Sequence, residues 1–177
     1  MKKLTPEKLD LAPSVKPRHR IAVVHTFETA HRLPNLDGKC ASLHGHSWQV
    51  AVSVTAPGLT EDATIVEFGA LKAGIRRWID TYFDHGTMLG SGDVLLTPLT
   101  EAKTKVFRFG YADPHSPAES LASDLPWPTV EAVAVVLHRV SQQVLAHLPH
   151  TTGALVGEVV VHETRHNTAA YGSAGER

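Results

Sequence analysis

Very little of what cross-links, anchors or strongly charges a protein is present in this chain. Cys40 is the only cysteine in 177 residues, so no internal disulfide can form. A lone thiol fits a reducing, cytoplasmic setting. Long apolar runs are missing too: no stretch approaches the ~18 residues that read as a bilayer-spanning helix, and no membrane association is expected. Met1-Lys2-Lys3-Leu4-Thr5-Pro6 leads into Glu7, Lys8 and Asp10 instead of an apolar core, which is not the pattern of a secretory signal. Net charge is almost nil at −1. The densest basic stretch, Lys16-Pro17-Arg18-His19-Arg20, is too short to track a phosphate backbone, so no nucleic-acid partner is expected. Internal repeats and low-complexity segments are also absent. The remaining composition, 42% hydrophobic and 20% charged, suits one soluble domain with a sizeable core.

Histidine is plentiful, with twelve residues, and several are crowded together. His31, in Phe27-Glu28-Thr29-Ala30-His31-Arg32-Leu33, precedes Lys39-Cys40-Ala41-Ser42-Leu43-His44-Gly45-His46, so three imidazoles and one thiol fall within sixteen residues. His44 and His46 are two apart and lead into the alternation Trp48, Val50, Val52, Val54, which predicts a strand with both rings on one face. His31 closes a similar alternation through Val23, His25, Phe27 and Thr29, and pairing of the two segments would add a third ring to that face. A His-X-His pair alone is commonly a solvated surface feature in a protein with this many histidines. The addition of His31 and Cys40 turns it toward metal. Three neutral imidazoles with an open fourth position describe a catalytic zinc site and not a structural one. Cys40 would by default be a small buried hydrophobe. Its neighbours Lys39, Ser42 and the histidines instead make an electropositive setting that favours a thiolate.

Residues 1–19, with Pro6, Pro13 and Pro17, read as an N-terminal arm, residues 20–172 as one domain, and residues 173–177 as a tail. Strands are expected over 20–31 and 47–56, the second ended by Pro57-Gly58. Phe68, Leu71, Ile75, Ile79 and Phe83 recur every three or four positions and predict an amphipathic helix over 68–83. A second helix carries Val133, Val136, Leu137, Val140, Val144, Leu145 and Leu148, with Thr129 as its N-cap after Pro128. Between the helices lies a long, proline-punctuated insertion at about 91–127 with a strand expected over 105–111. A connection of that length is usually functional, a lid, or partly mobile. Strands over 155–164 and 167–172 complete the sequence.

Five motifs in order carry a resemblance: Phe27-X-X-Ala30-His31-Arg32-Leu33, Lys39-Cys40-X-X-Leu43-His44-Gly45-His46-Ser47, Asp84-His85, Pro128-Thr129-X-Glu131 and Val161-X-Glu163-Thr164. Together, over roughly residues 20–172, they resemble the 6-pyruvoyltetrahydropterin synthase family. The three-residue gap between Cys40 and His44 is similar to that of its bacterial 6-carboxy-5,6,7,8-tetrahydropterin synthase branch. The resemblance implies an α+β tunnelling fold (T-fold): a four-stranded antiparallel sheet with two helices packed on one face, its subunits closing edge to edge into a barrel as a homo-oligomer, commonly a hexamer formed as a dimer of trimers. Closure would also satisfy the unpaired edges of an open sheet.

The resemblance further implies that His31, His44 and His46 hold Zn2+, that Cys40 is the general base, and that Asp84 and His85 form a proton relay with it. Glu163 would anchor the pterin, with Thr129 and Glu131 beside it. Without the resemblance, Asp84-His85 reads as a helix C-terminal pair and Thr129 with Glu131 as a helix start, whereas Glu163 on an apolar strand calls for a partner. The implied reaction converts 7,8-dihydroneopterin triphosphate to 6-carboxytetrahydropterin, acetaldehyde and triphosphate, on the route to queuosine and other 7-deazapurines. Arg32, Lys39, Lys103, Lys105 and Arg108 are the cations expected to meet the triphosphate. Two departures stand out. Val66-Glu67-Phe68-Gly69 replaces an Asp-Phe-Gly helix entry, with an acidic first turn expected to survive, and Asp84-His85 lacks the Leu-Asn that commonly follows. The alternatives are a related pterin side-chain lyase, such as a 6-pyruvoyl-forming enzyme, and a non-catalytic pterin-binding module.

Overall fold

The computed structural model describes residues 18–173. Most of the expected arm over 1–19 and of the expected tail over 173–177 therefore lies outside the described residues. His19, assigned above to the arm, instead opens the first strand, β1 (His19–His31). After a 3-10 turn at Lys39–Ala41 comes β2 (His44–Ala56), antiparallel to β1 along its whole length. The alternation read in each segment is preserved: Phe27 faces Trp48, His25 faces Val50 and Val23 faces Val52, so one face of the hairpin is apolar.

Beyond β2 lie α1 (Phe68–Tyr82), β3 (Gly86–Leu89), α2 (Leu96–Glu101), β4 (Val106–Arg108), a 3-10 turn at Glu119–Ala122, α3 (Val130–Ala146), β5 (Leu155–His162) and β6 (Thr168–Tyr171). The sheet order is β4-β3-β1-β2-β5-β6. Four strands are antiparallel, as the resemblance implies. Two further short strands, β3 and β4, add in parallel along the β1 edge and raise the total to six. The strand expected over 105–111 is shorter than foreseen, and β3 and α2 carry too little periodicity over four and six residues to have been read in advance.

Leu71, Ile75 and Ile79 of α1 and Val133, Val136, Leu137 and Val140 of α3 are buried with Phe27, Trp48, Val50, Val52, Val159 and Val161 of the sheet. Complete burial of one such aliphatic side chain is worth about 1.5–3 kcal/mol, so the two amphipathic stripes determine which sheet face is covered. The helices also touch one another. A Cβ on Gly74 of α1 would stand 2.5 Å from Val144 Cγ1 of α3, so any larger residue there would force Val144 to shift. Phe68, expected in the α1 stripe, is instead 54% exposed, because it sits at the helix start and turns past the core. Glu67 is the N-cap and not part of an acidic first turn: its carboxylate accepts from Gly69 N at 2.7 Å and Ala70 N at 2.6 Å. Thr129 caps α3 as expected, accepting from Ala132 N at 3.2 Å.

The 91–127 segment is packed. Phe107 and Phe109 are buried beside Phe83, and Phe107 also meets Trp78 and Tyr82. The ends of the segment are tied together by Ser91 N donating to Pro126 O at 3.0 Å. A Cβ on Gly90 would collide with Trp127 Cε3 at 2.1 Å, so the backbone passes there only over a glycine.

Candidate metal and relay sites

The register that builds the apolar face also builds a polar end to it. His31 lies opposite His44 and Thr29 opposite His46, so all three imidazoles leave the core face of the hairpin. Their ring centroids are 4.6 Å (His31–His44), 5.3 Å (His31–His46) and 4.8 Å (His44–His46) apart. One ligand atom from each can be chosen so that all lie within 4.8 Å of one another. Trp48 forms the floor, edge-on to His31 and His46, and its indole N–H donates to Thr29 O at 3.1 Å.

Backbone carbonyls select the tautomers. His31 Nδ1 donates to Pro128 O at 2.9 Å and His44 Nδ1 to Ser42 O at 2.8 Å. A carbonyl only accepts, so each Nδ1 carries the proton and each neutral ring presents the lone pair of Nε2. Burial, reinforced by the other histidines, pushes the His31 pKa below its ordinary value despite the opposing Pro128 bond and Glu163 charge. Burial does the same to His46, against the pull of Glu163. Both rings are therefore held in the form that ligates a metal. His31 Nε2 and His46 Nε2 are buried with no hydrogen-bond partner. Orphaned nitrogens of this kind carry a desolvation cost that a cation would relieve, and the three-histidine set fits a zinc-type ion.

Glu163 follows directly after β5 and continues the parity of Val159 and Val161, which brings it to the same face. Its Oε1 lies 3.3 Å from His31 Nε2 and 3.9 Å from His46 Nε2. Oε2 accepts from Asn167 Nδ2 at 3.2 Å, and Glu163 N donates to Asn167 O at 3.1 Å. Asn167 was not singled out from sequence, since a turn asparagine has too many ordinary uses to signal a site.

Cys40 lies half-buried in the 3-10 turn between β1 and β2. That turn is pinned from two sides. Leu33 N donates to Cys40 O at 2.8 Å, and Arg32 Nε donates to Ala41 O at 2.8 Å while its Nη1 holds Asp93 Oδ1 at 2.7 Å. The insertion thus supports the thiol turn through Asp93, and Pro128 just beyond it supports the first histidine.

Asp84 and His85 form their pair, His85 Nδ1 to Asp84 Oδ2, at 2.7 Å. Asp84 Oδ1 also accepts from Glu28 N at 2.9 Å. Its carboxyl stays below the ordinary value although burial opposes this, because the Glu28 and His85 bonds and the Lys105 charge outweigh burial. His85 has φ 53, a left-handed conformation uncommon outside glycine, and its side chain is 79% exposed. It lines an open cleft with Glu28, Ala30, Gly45 and Ser47, which alternate with the histidine-bearing positions, and with Thr29 and His46 from those positions themselves. Within the described residues no hydrogen bond joins Cys40 to Asp84 or His85. The chain gathers the three histidines with Glu163, and it also forms the Asp84–His85 pair. Thr129 spends its hydroxyl on the α3 cap, and Glu131 is exposed in the first turn of that helix.

Three of the five expected phosphate-binding cations are already engaged. Arg32 holds Asp93 and Ala41, Lys105 Nζ donates to Asp80 O and Asp84 O, and Arg108 is buried against Glu119. These residues build structure because each long side chain has found fixed acceptors nearby. Lys39 and Lys103 remain exposed.

The model of the family described as 6-pyruvoyl tetrahydropterin synthase matches residues 20–174. The chain belongs to that family. Among curated relatives, the probable 6-carboxy-5,6,7,8-tetrahydropterin synthase of Halobacterium salinarum is 33% identical over 143 residues, covering 81% of this chain and 79% of the relative. The 6-carboxy-5,6,7,8-tetrahydropterin synthase of Rickettsia bellii is 32% identical over 101 residues, covering 56% of this chain and 71% of the relative. The fold is similar to that of Caenorhabditis elegans 6-pyruvoyl tetrahydropterin synthase, with TM-score 0.57 at 20% identity, over 89% of this chain and 97% of that one. The family's fold class, α+β with helices on one face of the sheet, is thus the one expected from the motifs, with two added strands at the β1 edge.

Proposed function

We propose that this protein is a zinc-dependent 6-carboxy-5,6,7,8-tetrahydropterin synthase, converting 7,8-dihydroneopterin triphosphate and one water to 6-carboxytetrahydropterin, acetaldehyde and triphosphate in a cytoplasmic 7-deazapurine (queuosine) route. The observation that carries the reading is the pair of orphaned, buried Nε2 atoms of His31 and His46, beside His44 and Glu163, in a member of this family. Relatives bearing the 6-carboxy name support the choice of product.

His31, His44 and His46 would hold Zn2+, which when bound supplies Lewis-acid polarisation of a substrate oxygen. The Glu163 carboxylate would accept hydrogen bonds from the pterin 2-amino group and N3–H, with Thr129 and Glu131 beside the ring. Cys40, as thiolate, would remove a proton from a carbon of the substrate's side arm. Asp84 fixes the His85 proton on Nδ1, which leaves Nε2 to exchange a proton with the thiol or substrate. Lys39 and Lys103 would meet the triphosphate.

Because no hydrogen bond joins Cys40 to Asp84 or His85 among the described residues, the relay is completed in this reading by a second copy, and the protein works as a homo-oligomer, commonly a hexamer in this family. Sheet edges support this. On its β3 side β1 is paired only over Thr29–His31, and β6 has one partner, leaving unpaired backbone among the described residues.

Product analysis by mass spectrometry, with zinc-loaded protein and a Cys40→Ala variant, tests the proposal. Carboxytetrahydropterin with acetaldehyde from the parent, and a large loss in the variant, is expected. A 6-pyruvoyl product would move the assignment to the competing lyase, for which the family description speaks. Tight binding without turnover would leave a pterin-binding module.

A further inference from the structure

Cys40 sits on a turn that its own bonds hold weakly. The 3-10 turn spans only Lys39–Ala41, buries no residue, and follows Gly38 at φ 98 with no side-chain cap. Its internal bonds are long, Ala41 N to Gly38 O at 3.3 Å and Ser42 N to Lys39 O at 3.2 Å, and a single turn of this kind is marginal in isolation. The bonds from outside are shorter. Leu33 N donates to Cys40 O at 2.8 Å, and Arg32 Nε donates to the next carbonyl, Ala41 O, at 2.8 Å. Arg32 is in turn aimed by Asp93, 61 residues away in sequence, whose Oδ1 accepts from Nη1 at 2.7 Å. The Asp93 side chain is fully buried and its Oδ2 has no hydrogen bond among the described residues, so Arg32 and Leu95 N, the latter at 2.9 Å, are what satisfy the carboxylate. An ion pair this enclosed fixes geometry, because breaking it strands a charge away from water. With Nε and Nη1 both engaged inside the fold, Arg32 is built into the support of the turn.

We propose that Arg32 and Asp93 are positioning residues for the reaction: the pair fixes the backbone beside Cys40, and so the direction from which the thiol meets the substrate's side arm, and leaves the triphosphate to other cations. The inference deepens the proposed function and rests on its reading of Cys40 as the base. Asp93 belongs to the 91–127 insertion, so that segment acts on the chemistry through geometry, by way of Arg32 and the Ala41 carbonyl.

The test uses the zinc-loaded, full-length protein with Asp93 changed, since its loss leaves Arg32, 19% exposed at the side chain, within reach of water, whereas loss of Arg32 strands a buried carboxylate. Asp93→Ala should lower kcat by about 10–100-fold, the scale on which a small misplacement caused far from the chemistry is felt, with KM for 7,8-dihydroneopterin triphosphate and zinc content unchanged. Because Cys40 is the chain's only cysteine, iodoacetamide reads that thiol alone. Its alkylation in Asp93→Ala, without substrate, should speed up several-fold: the released turn exposes the sulfur, and the uncompensated Arg32 charge favours the thiolate. A thiol that reacts faster with a free reagent and more slowly with the substrate is the signature of lost positioning. Asp93→Asn keeps an acceptor and loses the charge, and should lie between parent and Asp93→Ala in both readouts. Parental kcat and alkylation in Asp93→Ala would overturn the proposal, as would a raised KM with kcat unchanged, which would return Arg32 to the substrate. Should Asp93→Ala fail to fold, Asp93→Asn decides: lowered kcat with faster alkylation supports the inference, and parental values overturn it. The alkylation readout needs no turnover. A protein inactive on the pterin triphosphate whose Cys40 still reacts faster in Asp93→Ala would refute the reaction and keep the pair as the device that holds the thiol turn. An active parent with an indistinguishable variant would do the opposite.

Discussion

The two faces of the β1–β2 hairpin carry polar chemistry of opposite character. On the core face, His31, His44 and His46 are walled by Trp48, with carbonyls selecting the tautomers of His31 and His44 and the free nitrogens of His31 and His46 left inside the protein. The Asp84–His85 pair has its imidazole 79% exposed in an open cleft whose wall includes His46. The first centre is enclosed by the fold and the second is open to water. A buried polar site must be satisfied by its own fold or it costs stability, whereas an exposed pair can wait for a partner because water satisfies it meanwhile.

Breaking the core-face centre should have the largest effect. His31→Ala removes one of three nitrogen ligands, and zinc affinity should fall beyond the roughly 10–100-fold typical of losing an outer-shell partner, with turnover going to background; chelator competition and product analysis read both. Next come Cys40→Ala and His85→Ala, each expected to lower turnover by about 10²–10⁴-fold, the range for a positioned acid or base, with zinc content unchanged. An equimolar mixture of the two, refolded together, should regain activity if copies share the relay, and a mixture as inactive as its components would show that they do not.

The insertion supplies a smaller, purely structural contrast. Arg108 and Glu119 are each 5% exposed at the side chain and joined at 2.8 Å, and Glu119 also accepts from the backbone N–H of Arg108 and of His115. Removing one partner with Arg108→Ala should cost about 3–5 kcal/mol in chemical denaturation while zinc affinity stays put. Burial tends to raise the Glu119 pKa, but its bonds from Arg108 and His115 outweigh this and hold it below 4.5. A lowered carboxyl stabilises the fold above the unfolded value and loses that contribution as pH falls through the folded one. The stability gap between parent and Glu119→Gln should therefore be constant above pH 4.5 and narrow below it. Smallest is Thr129→Ala, at about 1 kcal/mol for a lost cap. Thr129→Ser should restore stability, and a KM defect that persists in the serine variant would give the methyl group a place against the pterin.

Much of the core-face site was legible beforehand, for a reason that lies in strand geometry. Alternation at period two puts His44 and His46 on one side, and a hairpin in register adds His31, so neighbours in sequence become neighbours in space. Glu163 could be placed on that face by the same parity, but not its approach to His31, which depends on how β5 pairs with β2. Arg32, Lys105 and Arg108 looked free as a charge count and proved to be tied down, because their acceptors include Asp93, 61 residues from Arg32, Asp80 and Asp84, 25 and 21 residues from Lys105, and an irregular turn for Arg108. The insertion's length left its role open between functional, lid and partly mobile, and no periodicity announces the aromatic cluster into which its Phe107 and Phe109 pack.

By itself, then, the sequence determined the hairpin with its three histidines, the two amphipathic helices with the Thr129 cap, and the family to which the protein belongs; these follow from local periodicity and ordered motifs. Only the tertiary structure decided that Pro128 and Asp93 brace the histidine and thiol segments, that β3 and β4 extend the sheet, and that Arg108 is buried against Glu119. Those outcomes depend on long-range contacts, where a side chain takes whichever acceptor the completed fold brings within about 3 Å.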